Sequence, residues 1–359
     1  MNPPKEKSKP QRGIPPQLFV DDEWLGLRTE DVIDPKRPIV DPHHHLWHRA
    51  SPYLLPELLQ DINCGHHIRG TVYVECSSMY RANGDPRFQS VGEVEYANGV
   101  AASFASGHYG PARACAGIVA KVDLTLGAFA EEVMQEHLRR APDRLRGIRH
   151  MAAWDATPEV NVLMNPPPKD LLLDRRFREG FSRLSKYELT FDAWVYHPQL
   201  PQLIDLVDAF PETKVIVDHA GGLALTGPYA MHRGEAIAQW SRSIKALARR
   251  PNVMVKIGGF NSRLHGSDFI DRDFPPDSLE LARSWKPYVE TCIEAFGSAR
   301  SMFESNFPPD KCGCSARVLW NTFKRLTDGY SEAEKSDLFA GTAIRAYRLP
   351  ESLGQSSKT

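Results

Sequence analysis

The chain has 359 residues, 42% of them apolar and 25% charged, with a formal net charge of −1. That balance belongs to a globular protein long enough for one large domain or two ordinary ones. It leaves no basic footprint for nucleic acid or an anionic membrane surface, and no run approaches the roughly 20 apolar residues of a bilayer span.

Residues 1–33 are rich in Pro, Lys and Asp and read as an extended arm ahead of a domain covering 34–359. The start, Met1-Asn2-Pro3-Pro4-Lys5-Glu6-Lys7, is charged and is followed by no apolar stretch, so it does not read as a secretory leader. The first strand-like run, 39–41, leads into Asp41-Pro42-His43-His44-His45. Strand side chains alternate faces, so His43 and His45 point one way and His44 the other. Two imidazoles on one face can bind a single metal ion or grip an oxyanion or carboxylate; a histidine-rich turn without chemistry is the bland alternative.

Further strand-like runs follow at 70–75, 116–122, 145–150, 189–196, 214–219, 252–257 and 300–304. Helical spacing separates them at 129–140, 200–210, 236–249 and 288–296, and Ser331-Glu332-Ala333-Glu334 reads as a helix start with acidic residues in its first turn. Eight strands alternating with helices favour a closed (β/α)8 TIM barrel over an open doubly wound sheet. The open sheet would announce itself with a glycine-rich phosphate turn after its first strand, where this chain has histidines. The six cysteines, Cys64, Cys76, Cys115, Cys292, Cys312 and Cys314, lack the pattern of a disulfide scaffold and read as reduced thiols of a cytoplasmic protein. Cys312-Gly313-Cys314 reads as a loop with two free thiols rather than a zinc site, since no second pair accompanies it.

In a parallel barrel the active site lies at the C-terminal ends of the strands. His43 and His45, Glu75, Arg149 and His150, His197, His219, and Asn306 with Asp310 all fall at such ends. Two long loops, 77–98 and 258–277, carry further candidates. Tyr80, Arg81 and Arg263 are expected to bind substrate, the arginines through forked hydrogen bonds to a carboxylate. Trp47 is expected to pack on a ring.

The segments IVDPHHHLW, VYVECSSMY, RGIRHMAAWD, WVYHPQLPQL, VIVDHAGG, NVMVKIGG and MFESNFPPDK resemble, in this order, the amidohydrolase-2 family, and most closely its lactonase-related branch of sugar lactonases and pyrone-dicarboxylate hydrolases. The likeness spans 39–349 and leaves the arm aside. It implies that His43 and His45 are the strand-one pair, that His219 is the strand-six histidine, and that Arg149 is a strand-four basic group for a substrate carboxylate or oxygen. His197 stands where decarboxylase-like members carry a strand-five ligand, which makes His43, His45 and His197 the expected set for a divalent ion, zinc or manganese. Metal-independent catalysis by the imidazoles and Arg149 is the alternative.

The chain departs from the family at strand eight, where Asn306 in Glu304-Ser305-Asn306-Phe307-Pro308 replaces the usual aspartate. Asparagine takes no proton at neutral pH, and general-base help is worth about 10²–10⁴ in rate. Asp310 is the first substitute, then His219 and Glu75; the bland reading of Asp310 pairs it with Lys311 on the surface. Three functions follow. The first is a hydrolase opening a lactone or related cyclic ester, its small-molecule substrate perhaps carrying a carboxylate. The second is a metal-dependent decarboxylase of an aromatic or unsaturated acid, and the third a non-catalytic binding barrel. Homo-oligomerisation stays open.

Overall fold

The computed structural model describes residues 19–49, 51–163 and 165–355. Its eight strands are β1 (Pro38–His44), β2 (His67–Val74), β3 (Arg113–Lys121), β4 (Leu145–Arg149), β5 (Thr190–Ala193), β6 (Val215–Val217), β7 (Val253–Ile257) and β8 (Ser301–Phe303). They form one sheet in chain order, every neighbouring pair parallel. One helix of seven or more residues follows each strand, from Leu55–Ile62 after β1 to Ala316–Leu326 after β8. This is the expected (β/α)8 barrel. It is nearly closed, and the first and last strands meet just beyond β8. There His45 N–H donates to Phe307 O at 2.8 Å and Asn306 N–H to His43 O at 3.0 Å. The Asp41 carboxylate seals the join, accepting Ser305 N–H at 2.9 Å and the Ser305 hydroxyl at 2.6 Å.

The sequence explains the two faces of the sheet. Runs such as Val215-Ile216-Val217 are buried on both sides, as parallel strands under helices require. Outward residues such as Phe191 pack with Phe177 and Phe181 of the helix layer. At the base, Val40, Val72, Val119, Ile216 and Met302 form a second apolar cluster with Tyr347, Leu349 and Leu353 of the C-terminal segment. Two residues further along three of the strands the chemistry changes: Ile216 is followed by Asp218, Met254 by Lys256 and Met302 by Glu304. A period of two thus carries the barrel from an apolar floor to a charged upper layer.

Two elements differ from the sequence reading. Helix Val91–Ala105 occupies part of the expected 77–98 loop. Its apolar and small residues are spread around the helix, so no stripe marks it. Helix Ser278–Phe296 begins ten residues before the expected 288, with Pro287 inside it and the Asp277 side chain accepting Glu280 N–H. The described part of the arm lies against the barrel: Trp24 is buried and its indole N–H meets Arg272 O and Asp273 O at 3.0 and 3.1 Å. No helix among the described residues is long and apolar enough to cross a membrane.

Candidate active site

β1 delivers its histidines to the barrel mouth as alternation demands. His44 turns outward to Thr71 Oγ1, at 2.8 Å. His43 and His45 turn inward, their Nε2 atoms 3.3 Å apart. His45 Nδ1 lies 2.8 Å from Val74 O, which only accepts, so Nδ1 holds the proton and Nε2 a lone pair. His219, at the exit of β6, is fixed similarly: its backbone N–H and its Nδ1 meet Glu304 Oε1 at 3.0 and 2.7 Å. Glu304 Oε2 lies 2.9 Å from His43 Nδ1. One carboxylate therefore orients two imidazoles, in the way an outer group orients a metal-binding histidine.

His43 Nδ1 has a rival partner, Lys256 Nζ at 3.1 Å. One nitrogen cannot donate to Glu304 and accept from Lys256 at once. With its proton toward Glu304, His43 presents a second Nε2 lone pair facing that of His45; Arg149 Nη1, 3.4 Å from His43 Nε2, supplies one donor, and a cation between the two nitrogens would satisfy both. Two nitrogens bound to a tetrahedral zinc at about 2.0–2.1 Å stand roughly 3.3 Å apart, so the geometry of these residues fits a divalent ion. His43, His219 and Glu304 also bring ligand atoms within 4.8 Å of one another. Burial, with Lys256 beside His43 and Arg149 beside His45, holds both imidazoles well below their ordinary pKa and so neutral. Burial opposes charge on His219 too, but the Glu304 carboxylate outweighs it and raises that pKa. Burial alone would lift Glu304, yet His219 and His43 hold it well below the usual carboxylate range.

Beneath the histidines lies a layer of compensated charge. Lys256 Nζ donates to Asp192 Oδ2 at 2.6 Å and lies 3.1 Å from Asp218 Oδ1. Tyr347 OH donates to the same Asp192 oxygen at 2.6 Å. Arg149 donates from Nε to Glu75 Oε1 at 2.9 Å and from Nη2 to the Glu75 carbonyl, with Nη1 3.4 Å from His43 Nε2. The backbone is strained where the site is built: His219 has φ +54° and Asn306 φ +51°. Such conformations cost about 1–3 kcal/mol each, and the hydrogen bonds His219 N–H to Glu304 and Asn306 N–H to His43 O help hold them. Glycine is required at 259, at φ +74°, because a Cβ there would lie 2.6 Å from His219 Cβ.

A cavity of about 410 Å³ opens above, lined by His45, Trp47, Arg149, Trp194, His219 and Asn306 among others. Of the sequence candidates, the structure gathers His43, His45, His219, Arg149, Glu75, Trp47 and Asn306. Glu75 is buried under Arg149. Asp310 is buried behind the wall, its Oδ1 3.4 Å from Asn306 Nδ2, and burial pushes its carboxyl up to about 7. It does not pair with Lys311, which turns to Asp61 at 2.9 Å.

Other candidates lie elsewhere. The His197 Nδ1 accepts Ala224 N–H at 3.2 Å and its ring packs on Tyr229, outside the cavity lining and away from His43 and His45. Tyr80 is 37% exposed and off the lining. Arg81 is tied to Glu95 at 3.1 Å, because helix Val91–Ala105 starts early enough to bring that carboxylate within reach. Arg263 is tied to Asp271 at 2.6 Å within its own loop. Local partners thus satisfy both arginines outside the cavity.

Sequence reasoning passed over Lys256, Asp218, Glu304 and Arg49. Lys256 carried a signal, since an ammonium in the otherwise apolar Val253–Ile257 strand requires buried carboxylates.

An eight-stranded parallel barrel with oriented imidazoles at the C-terminal ends of its strands defines the class: a (β/α)8 barrel with an enzyme-type site at its mouth. The chain belongs to the amidohydrolase family, whose family model matches residues 40–349. It is 28% identical over 329 residues to uncharacterized protein y4mH of Sinorhizobium fredii, covering 87% of this chain and 98% of that one. It is 27% identical over 244 residues to an L-fucono-1,5-lactonase of Burkholderia multivorans, 66% of this chain and 72% of that one. A crystal structure of a Burkholderia multivorans amidohydrolase with bound zinc shares the fold at a TM-score of 0.65 and 23% identity, covering 87% of this chain and 100% of that one.

Proposed function

We propose that this protein opens a lactone or related cyclic ester by attack of an activated water at the barrel mouth. The observation that carries this reading is the pair of neutral imidazoles with Nε2 atoms 3.3 Å apart, beside Arg149 and a His219 made basic by Glu304. His219 keeps its Nδ1 proton on Glu304 and faces the cavity with Nε2, which takes the proton from water. This supplies the base that Asn306 cannot be, and His219 takes precedence over Asp310, which is off the cavity lining, and Glu75, which Arg149 engages. Arg149 holds the oxygen on which negative charge develops, within a dry and preorganised wall. His43 and His45 are the residues that would hold a divalent ion through Nε2, with Glu304 beside His43 Nδ1 and Val74 O at His45 Nδ1 orienting them. Such an ion, zinc or manganese, supplies Lewis-acid polarisation and acidifies water. The decarboxylase reading drew on His197 and His219 together, of which His197 packs away from the cavity, and the non-catalytic reading drew on Asn306 alone.

The test is hydrolysis of a panel of lactones by purified protein, with metal content measured on the same sample. We expect His219→Asn to lower kcat/KM by about 10²–10⁴, with His45→Ala losing both activity and bound metal. Release of carbon dioxide from aromatic acids, with every lactone untouched, would overturn the reading.

A further inference from the structure

The walls of the cavity are chemically one-sided. Among the described residues neither aspartate nor glutamate lines it, and its charged groups are Arg49 and Arg149. Much of the rest is apolar, including Met151, Val162, Leu163 and Leu264 with two indoles. Arg149 is compensated by Glu75 at 2.9 Å and Asp218 at 3.6 Å. Arg49 has no carboxylate partner among the described residues. It donates to Cys76 O at 2.5 Å, and its Cζ lies 4.4 Å from the Trp47 ring centroid. A guanidinium has five N–H donors, so this leaves Arg49 with donors to spare at an exposed position on the cavity wall.

Trp47 joins this cation to the reacting centre. Its ring stacks on His45 at 5.9 Å, 10° from parallel, and its N–H is spent on Ser51 O at 3.1 Å. His45, Trp47 and Arg49 therefore form one stack running from the catalytic imidazoles to the mouth. A substrate lying along it meets imidazole at one end, apolar indole in the middle and an uncompensated cation at the other. Sugar hydroxyls are best received by carboxylates, and among the described residues the wall offers none, its acceptors being the neutral Ser77, Asn165, Ser262, His265 and Asn306. Unpaired buried hydroxyls are costly.

We infer that the substrate is a lactone with an apolar body and a carboxylate distal to the reacting carbonyl, and that Arg49 reads this carboxylate through a forked pair of hydrogen bonds. The inference rests on the hydrolase reading but is tested apart from it, by binding. The probes are an alkyl δ-lactam, which resists hydrolysis, and the same lactam ending in a carboxylate, titrated by calorimetry. The wild type should bind the carboxylated lactam at least tenfold more tightly. Arg49→Ala should bring that ratio close to one, Arg49→Lys should retain part of it, and Arg263→Ala, outside the cavity, should leave it in place. With the matching lactones, kcat/KM should rank carboxylated above alkyl, and alkyl above a polyhydroxylated sugar δ-lactone. A wild-type binding ratio near one, a ratio that survives Arg49→Ala, or a preference for the sugar lactone would overturn the inference. If the lactam preference holds while no lactone is hydrolysed, the hydrolase reading fails and the ligand class stands.

Discussion

Lys256 carries its charge with none of its surface exposed. Burial works against the ammonium, but Asp192 and Asp218 outweigh it and raise its pKa. The same Nζ competes with Glu304 for His43 Nδ1, so it helps decide which nitrogen of His43 carries the proton. Removing one member of a buried ion pair typically costs about 3–5 kcal/mol, because the partner is left charged and dry. Lys256→Met should therefore lose about that much in urea unfolding, and adding Asp192→Asn should recover part of it. Imidazole ¹⁵N spectra should show the His43 proton settling on Nδ1, toward Glu304, in Lys256→Met at pH 7. A loss under about 1 kcal/mol, well below the cited range, would mean that these carboxylates do not depend on the lysine.

At the scale of elements, the strands were legible and the loops were not. All eight expected runs overlap an observed strand, because β-branched and apolar residues flanked by turn signals leave a strong mark. Their ends also put His43, His45, Arg149 and His219 at the mouth. Arg81 and His197 were misleading because a side chain's partner depends on tertiary approach: Glu95 and Ala224 reach them only once their elements pack, while Arg263 is taken by Asp271 of its own loop. Arg49 was invisible for the same reason, since its meaning comes from lying over Trp47. The arm also acts through an element it touches. Trp24 hydrogen-bonds the backbone at Arg272 and Asp273, and Glu30 accepts Ser278 N–H at 2.6 Å, so together they tether the end of the 258–277 loop. That loop contributes Gly259, Ser262, Leu264 and His265 to the cavity. Trp24→Ala should cost about 3–5 kcal/mol, the range for large aromatic deletions. Hydrogen exchange should speed up across 263–275, and KM should rise more than kcat falls. Unchanged exchange in that loop would show that the tether is immaterial to it.

For the whole molecule, the buried titratable groups pull stability in opposite directions with pH. Burial, the leading cause in each case, lowers His44, His66, His137 and His197 to about 4 and His265 to about 3. The unfolded chain protonates these imidazoles near 6.5. From pH 6.5 down to about 4 it therefore binds protons that the folded state refuses, and stability falls on acidification. Burial also raises Asp41, Glu93 and Asp310 to about 7. Between about 4 and 7 the folded state holds their protons while the unfolded chain has released them, so their contribution is present at low pH and is lost as pH rises through 7. Five histidines outnumber three carboxylates in the shared window, so the net slope there follows the histidines. The apparent Tm should climb from pH 4.5 to 6.5, flatten, and decline slightly by pH 7.5 as the last carboxyl protons leave. Asp310→Asn should remove part of that late decline while leaving the acid limb in place. Thermal scans at half-unit steps would decide it, and a Tm that fell steadily from pH 4.5 to 6.5 would show that the carboxylates, not the imidazoles, dominate the interior.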